Sequence, residues 1–161
     1  MEQKFRKLLD EHSDRVYGLA AFLLGNPAQA QDVTQETFEK LWKNIADIRV
    51  EQAIGWLLRV TRNACLDTLR RRSRSLAVEH FECPDYNCPE TTLQAQQLRR
   101  QLGHAVAELD EPYRSLVVLR DMQQHSYQEV AQILELSMSQ VKVYLHRARQ
   151  RLRKRVEAME L

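Results

Sequence analysis

The sequence predicts an all-α protein made of two small helical domains joined by a flexible linker. Only four Gly and four Pro occur in 161 residues, so few positions suit the tight turns that β-hairpins need. Apolar residues recur at the three- and four-residue spacing of helices. Two arginine-rich segments also flank an acidic one that contains two prolines, which indicates two domains and a connection. We expect domains at residues 1–74 and 93–161 and a linker at 75–92.

Composition narrows the class of protein. Hydrophobic residues make up 43% of the chain and charged residues 29%, as in ordinary globular proteins. No apolar run approaches the roughly 18 residues that a membrane span needs, and the N-terminus lacks the apolar core of a signal peptide. Three cysteines do not suggest a disulfide framework. We therefore expect a cytoplasmic protein without membrane insertion.

Three helices are predicted in the N-terminal domain. The first apolar stripe ends at Gly25, and Asn26 is expected to cap a second helix that has Pro27 at its first position. The third helix is expected to run from about Gln52 to Arg72. Its predicted buried side consists of Leu57, Leu58, Ala64, Cys65 and Leu69, and its opposite side of Arg59, Arg62, Asn63, Leu66 and Arg70.

The C-terminal domain is predicted to contain four helices. The first spans about Leu93 to Leu109, with Leu98, Leu102, Val106 and Leu109 on one face. The second opens at Asp110-Glu111-Pro112, and the third at a capping box formed by Ser126 and Glu129. The last helix follows a connection at 135–137 and has as its predicted inward stripe Met138, Val141, Leu145, Ala148 and Leu152.

This last pair of helices has the anatomy of a helix-turn-helix. Lys and Arg can bind guanine edges or phosphates, and Gln can pair with adenine. The sequence leaves open which side chains read bases and which only position the helix. A solvated charged face is the plainer alternative. The side chains predicted to project outward are Gln140, Lys142, Val143, His146, Arg147 and Arg149.

Three blocks of sequence resemble the extracytoplasmic-function group of bacterial sigma factors. They are Asp32–Phe38, Trp56–Asn63 with Arg70 and Arg71 after it, and Val141–Arg149. All three occur in the order and at the spacing of that family, and the match extends over nearly the whole chain. The resemblance implies an alternative sigma factor that binds bacterial core RNA polymerase and directs promoter recognition, DNA melting and transcription initiation.

The resemblance also implies roles for particular residues. The second helix would dock on core polymerase, and the third helix with the preceding loop would hold the melted minus-ten strand. The last helix would read the minus-thirty-five element in duplex form. The polymerase candidates are Asp32, Gln35, Glu36, Phe38, Leu41 and Trp42. The minus-ten candidates are Asp47, Ile48, Arg49, Trp56, Arg59, Arg62, Asn63, Arg70 and Arg71. The minus-thirty-five candidates are Gln140, Lys142, Val143, His146, Arg147 and Arg149.

Some residues leave more than one interpretation open. Trp56 can stack on an unpaired base, but an aromatic at helical spacing is more often part of a core. Glu135 stands where the family usually has Gly, which predicts a strained turn if that position needs a positive φ. Val143 replaces the common Ser and predicts an altered minus-thirty-five preference. His80, Cys83 and Cys88 suggest a metal or redox switch, although their spacing is not that of a standard zinc site.

No enzyme, cofactor or bound metal is expected, because the sequence lacks phosphate-binding, metalloprotease and nucleophile-elbow motifs. The sigma-factor interpretation predicts a monomer whose partners are core RNA polymerase, promoter DNA and an inhibitory anti-sigma factor. Two other classes stay open. One is a dimeric regulator that uses only the helix-turn-helix, and the other is a helical protein whose arginine faces bind an acidic partner.

Overall fold

The computed structural model describes residues 1–74, 82 and 92–159, and every regular element in those residues is helical. The all-α prediction is therefore confirmed. A 3₁₀ turn at Val50–Gln52 precedes the third helix, and a π-helical turn at Val118–Met122 extends the fifth. The helices are α1 (Glu2–Leu24), α2 (Pro27–Lys43), α3 (Ala53–Ser73), α4 (Leu93–Ala107), α5 (Tyr113–Val117), α6 (Tyr127–Leu134) and α7 (Met138–Met159).

The N-terminal unit, α1 to α3, follows the predicted start and stop signals. Gly25 ends α1 with φ 60°, a left-handed conformation that glycine adopts without strain. The Oδ1 of Asn26 accepts a hydrogen bond of 3.0 Å from the Gln29 backbone N–H. This bond satisfies one of the free donors at the start of α2, so the predicted cap is confirmed.

The buried side of α3 was also predicted correctly. Leu57, Leu58 and Cys65 are fully buried against α1 and α2, while Ala64 and Leu69 are partly buried. Burial raises the pKa of the Cys65 thiol to about 12. The thiol therefore stays protonated at neutral pH and acts as a small apolar group rather than as a nucleophile.

The C-terminal unit, α4 to α7, contains the predicted helix-turn-helix. Val130 and Ile133 of α6 pack on Val141 and Leu145 of α7 in one buried cluster. The Ser126 Oγ accepts from the Glu129 N–H at 3.1 Å. The Glu129 carboxylate, however, contacts the His125 ring at 3.1 Å. The Ser126 half of the predicted capping box is therefore confirmed, and the Glu129 carboxylate is shared between Ser126 and the His125 ring.

Three residues predicted to face inward are exposed. Leu98 is 50% exposed and Leu102 37% exposed, because the buried part of α4 begins only at Gly103. Met138 is 42% exposed, since it is the first residue of α7 and precedes the buried stripe that starts at Val141. The apolar spacing runs through both helices, but α4 is buried only in its last turn and α7 only from Val141 to Ala148.

The two units pack against each other along α1. Arg114, just inside α5, donates to the Leu23 carbonyl at 2.9 Å, and Arg72 of α3 donates to the Leu24 carbonyl at 2.7 Å. Gln123 donates to the Arg15 carbonyl at 2.9 Å. The end of α1, whose last carbonyls lack helical partners, is thus bonded from both units. His80, Cys83 and Cys88, with most of the predicted linker, lie outside the described residues.

Replacing Glu135 with Gly should stabilise the protein. Glu135 has φ 57° in the turn between α6 and α7, so the condition under which this turn was predicted to be strained is met. A side chain in this conformation costs on the order of 1 kcal/mol relative to glycine. We expect Glu135→Gly to raise Tm by about 2–4 °C in thermal unfolding. Glu135→Ala keeps the strain, so an equal rise in that variant would contradict the explanation.

Candidate functional site

An apolar groove runs between α1 and α2. Phe5 and Trp42 meet edge to face with ring centroids 5.3 Å apart, and the ring centroid of Phe38 lies 6.5 Å from that of Phe5. The groove has a volume of about 600 Å³. Trp42 is 49% exposed at its rim. A large exposed aromatic beside an apolar groove is typical of a protein docking surface.

The residues predicted to bind polymerase occupy different places on α2. Gln35 lines the apolar groove, whereas Asp32 and Glu36 face α3 across a second, polar groove of about 370 Å³. One prediction is corrected: Leu41 is fully buried and has no surface to offer a partner. Phe38 is 5% exposed but lines the floor of the apolar groove, so its contact with polymerase stays a prediction. Both belong to the core because they lie on the inner stripe of α2.

The sequence prediction also missed the contribution of α1 to this groove. Phe5, Leu9 and Tyr17 line it together with Gln31, Thr34 and Lys43 of α2. Their signal was visible in the sequence, because Phe5 and Leu9 are four residues apart on one face of a helix. Spacing alone could not show that they border a groove, because an isolated helical stripe does not reveal where its partner helix stops.

The polar side of α3 carries most of the predicted minus-ten residues. Asn63, Arg70 and Arg71 are exposed. Asn63 and Arg71 line the polar groove, and Arg70 forms a 3.2 Å ion pair with Asp67. An exposed amide next to guanidinium groups can donate and accept hydrogen bonds while phosphates are neutralised nearby. This arrangement suits single-stranded nucleic acid.

Arg59 and Arg62 are held by the C-terminal unit. Arg59 donates to the Gln132 carbonyl at 2.8 Å, and its Nε lies 3.9 Å from Oε1 of Glu135. The guanidinium of Arg62 lies 3.3 Å from Glu111 Oε2, and its Nε donates to Ser115 Oγ at 3.2 Å. Sequence reasoning placed both arginines on the outer side of α3 but missed that the second unit covers them.

The loop before α3 is fixed by Lys4. Its Nζ donates to the carbonyls of Ile45 and Ile48 at 2.7 and 2.6 Å. Asp47 and Arg49 are exposed, as a DNA contact requires. Ile48 is corrected: it is 8% exposed and packs in the core, so its side chain does not face DNA.

Trp56 packs on the core, which is the plainer of the two interpretations that its position allowed. It is partly buried and packs against the hydrophobic core near the start of α3. Removing it would therefore destabilise the fold as well as any surface that it presents.

The recognition face of α7 begins with a reciprocal cap. Ser137 N–H donates to Gln140 Oε1 at 2.9 Å, and Gln140 N–H donates to Ser137 Oγ at 3.1 Å. The oxygen of the Gln140 amide is therefore engaged at the helix start, although the side chain is exposed. The exposed side chains that follow within the next two turns are Lys142, Val143, His146 and Arg147.

Arg149 has a partner within its own unit. Its guanidinium makes two bonds to the Asp121 carboxylate, at 2.5 and 3.1 Å. The hydrogen bonds that Arg149 donates to the Asp121 carboxylate raise the pKa of Arg149. This bidentate pair ties α7 to the π-helical turn after α5 and fixes the direction of the guanidinium.

The described residues contain no group of His, Cys, Asp and Glu arranged to hold a metal ion. In the same residues, no helix has the length and apolar character required to cross a bilayer.

Two family profiles match this chain. Residues 8–75, which include most of α1 to α3, match Sigma-70 region 2. Residues 99–152, which include most of α4 to α7, match Sigma-70, region 4. The two matches correspond to the two structural units.

Individual relatives agree with the profiles. The chain is 37% identical over 153 residues to the ECF RNA polymerase sigma factor SigE of Mycolicibacterium smegmatis, covering 91% of this chain. It spans 59% of the length of that relative. It is 32% identical to the RNA polymerase sigma-E factor of Streptomyces antibioticus, over 98% of this chain and 87% of the relative.

A solved structure shares the fold. It is the sigma factor RpoE from Bartonella quintana, crystallised with the anti-sigma factor NepR. The TM-score is 0.79 at 22% sequence identity, covering 95% of this chain and 96% of that one.

Proposed function

The chain belongs to the extracytoplasmic-function group of the sigma-70 family, and from this premise we propose that it is an alternative sigma factor. It binds bacterial core RNA polymerase and directs promoter recognition, DNA melting and transcription initiation. One observation carries the proposal. The two matched regions fall on two helical units, and each unit presents the surface that its part of the task requires.

Polymerase binding is assigned to α2 and to the apolar groove beside it. Trp42 supplies a half-exposed aromatic anchor next to Phe5. Asp32, Gln35 and Glu36 supply exposed polar and acidic groups on the same helix. An apolar anchor gives affinity to a protein interface, and charged groups elsewhere on the same helix give it orientation. The occupant suited to this surface is a basic, amphipathic element of core polymerase.

Promoter melting is assigned to the polar side of α3 and the loop at Asp47–Glu51. Binding of unpaired bases offsets the few kcal/mol that unstacking requires, so capture of the minus-ten strand can open the duplex without ATP. Asn63 is suited to bond a base, and Arg70 and Arg71 are suited to bond phosphates. Arg59 and Arg62 join this surface when the second unit releases them.

Duplex recognition is assigned to α7, which would lie in the major groove at the minus-thirty-five element. Lys142, Val143, His146 and Arg147 face the same side at the start of the helix. This function requires no catalytic residue from the chain, because polymerase supplies the chemistry. It also places the protein in the cytoplasm, as a monomer that an anti-sigma factor can hold inactive.

The polymerase partnership is tested with purified core RNA polymerase. We expect the chain to elute as a monomer alone and as a one-to-one complex with core polymerase in size-exclusion chromatography. Dimers that bind palindromic duplex DNA but leave core polymerase unbound would instead support a simple helix-turn-helix regulator.

Changing Val143 to Ser should alter the preferred minus-thirty-five sequence. The Val143 side chain is 47% exposed on the recognition face and can pack on a thymine methyl group, whereas Ser would form hydrogen bonds. We expect the discrimination at one base pair to change by about 1–3 kcal/mol. Selection of bound duplexes from a random pool measures the preferred sequence of each protein. Identical preferences for the unmodified chain and Val143→Ser would refute a role of Val143 in base recognition.

A further inference from the structure

Two acidic residues of the C-terminal unit lie against the arginines of α3. Glu111 immediately precedes Pro112 and α5, and its Oε2 lies 3.3 Å from Arg62. Glu135 lies in the helix-turn-helix turn, and its Oε1 lies 3.9 Å from Arg59. Two segments far apart in sequence thus present carboxylates to one turn of α3.

These carboxylates stand where phosphates would bind. A guanidinium recognises carboxylate and phosphate oxygens through the same N–H groups. The Arg62 side chain is only 16% exposed beneath the second unit. Nucleic acid therefore cannot reach Arg62 until the C-terminal unit moves away.

We propose that Glu111 and Glu135 act as phosphate mimics that hold the free chain in a closed state in which Arg59 and Arg62 cannot bind DNA. The inference rests on the proposed function, since it assumes that α3 binds the melted strand. The closed state opens when the α3 arginines exchange the carboxylates for the phosphates of a promoter.

The two contacts contribute unequally. Ser115 Oγ donates to Glu111 Oε2 at 2.6 Å and accepts from Arg62 Nε, so the Arg62 contact is a three-membered, mostly buried network. The Arg59–Glu135 pair is exposed, with side-chain exposures of 44% and 73%, and solvent weakens such pairs. Glu111 therefore contributes most to holding the closed state and Glu135 contributes less. We call the contact of Glu111 with Arg62 the latch.

The closed interface also leaves polar groups unsatisfied. This favours replacement of the carboxylates by phosphates at the α3 arginines. Glu111 Oε1 and Arg59 Nε are buried without a hydrogen-bond partner. Such groups make a polar network less stable than one in which every donor and acceptor is paired. A phosphate, which offers more acceptor oxygens, can satisfy Arg59 where the second unit does not.

The test compares the full-length protein with Glu111→Gln. The probe is a short, fluorescently labelled single-stranded DNA of random sequence, and anisotropy gives the affinity without polymerase. Loss of the Glu111 contact raises the fraction of molecules in the open state. The apparent affinity for DNA rises in proportion to that fraction. We expect Glu111→Gln to bind about tenfold more tightly than the unmodified chain, and small-angle X-ray scattering to show a larger radius of gyration.

Asp110→Asn is the matched control. It removes the same negative charge one residue earlier, from an exposed side chain that makes no hydrogen bond or ion pair with either α3 arginine. We expect it to leave the radius of gyration unchanged and to alter DNA affinity far less than Glu111→Gln. Equal gains in both variants would overturn the proposal, because general repulsion of DNA would then explain them.

A second variant tests the same contact in case Glu111→Gln does not fold. Ser115→Ala removes the bridging hydroxyl but keeps both charges, and we expect a smaller gain in the same direction. Unchanged compactness and unchanged affinity in both folded variants would overturn the latch. Transcription by core polymerase is measured separately, so opening and tighter binding without specific transcription would support the latch and reject only the proposed function.

Discussion

Replacing Trp42 with Ala should reduce affinity for core RNA polymerase by about 30-fold, the effect of losing an aromatic worth about 2 kcal/mol at an interface. Trp42 is 49% exposed at the rim of the apolar groove, so most of the loss should fall on binding rather than on folding. Titration of labelled chain with core polymerase measures the affinity, and thermal unfolding measures the stability.

Met159→Ala provides the control for Trp42→Ala. Met159 is also a partly exposed apolar residue, but it lies at the end of α7, far along the chain from the groove. We expect the Met159→Ala protein to bind core polymerase with unchanged affinity. Equal weakening by both substitutions, or no weakening by Trp42→Ala, would remove the groove from the polymerase interface.

Replacing Asn63 with Ala should slow promoter opening about tenfold while leaving polymerase affinity unchanged. The amide is exposed on α3, and loss of its hydrogen bonds would leave a captured base unpaired, at about 1–3 kcal/mol. Open complexes can be counted by permanganate footprinting of unpaired thymines. Thermal unfolding should be nearly unaffected because Asn63 lies outside the core.

A premelted promoter separates strand capture from melting in the Asn63→Ala variant. On a template with a mismatched minus-ten region, unstacking is already complete, so part of the defect should disappear. Ser73→Ala, another exposed change on α3, serves as the control and should behave as the unmodified chain. A defect in Asn63→Ala that appears first as weaker polymerase binding would contradict its assignment to DNA.

Helix caps and buried helix faces could be predicted from neighbouring residues in the sequence. Asn26 capped α2 and Ser126 capped α6, as their residue types and positions predicted. The buried side of α3 was also predicted, because an apolar stripe that continues for several turns has only one way to face a core. Glu135 has the positive φ under which a strained turn was predicted, at a position where the family usually has glycine.

Contacts between distant segments could not be predicted in the same way. The sequence contains no signal that brings Glu111 to Arg62 or Glu135 to Arg59, since charge pairing depends on how two units pack. The same reason explains why Leu98 was placed inward and found exposed. Helical spacing identifies a face, but only the position of the neighbouring helix decides how much of that face is covered.

Errors at the candidate site arose from treating every residue of an implied binding segment as surface. Leu41 lies in the second helix and Ile48 in the loop before the third, to which the resemblance assigned binding roles, yet both side chains are buried in the core. A short helix that docks on a partner must also pack on its own protein, so alternate residues of one block serve different purposes. The interface is therefore narrower than the resemblance implied.

The most direct test of the central claim is transcription by purified core RNA polymerase on a pool of randomised promoters, with and without this protein, with RNA starts mapped by sequencing. The account predicts protein-dependent starts that share two upstream elements, one read by α7 as duplex and one melted on α3. An absence of such starts, with the protein folded and the polymerase active, would contradict it.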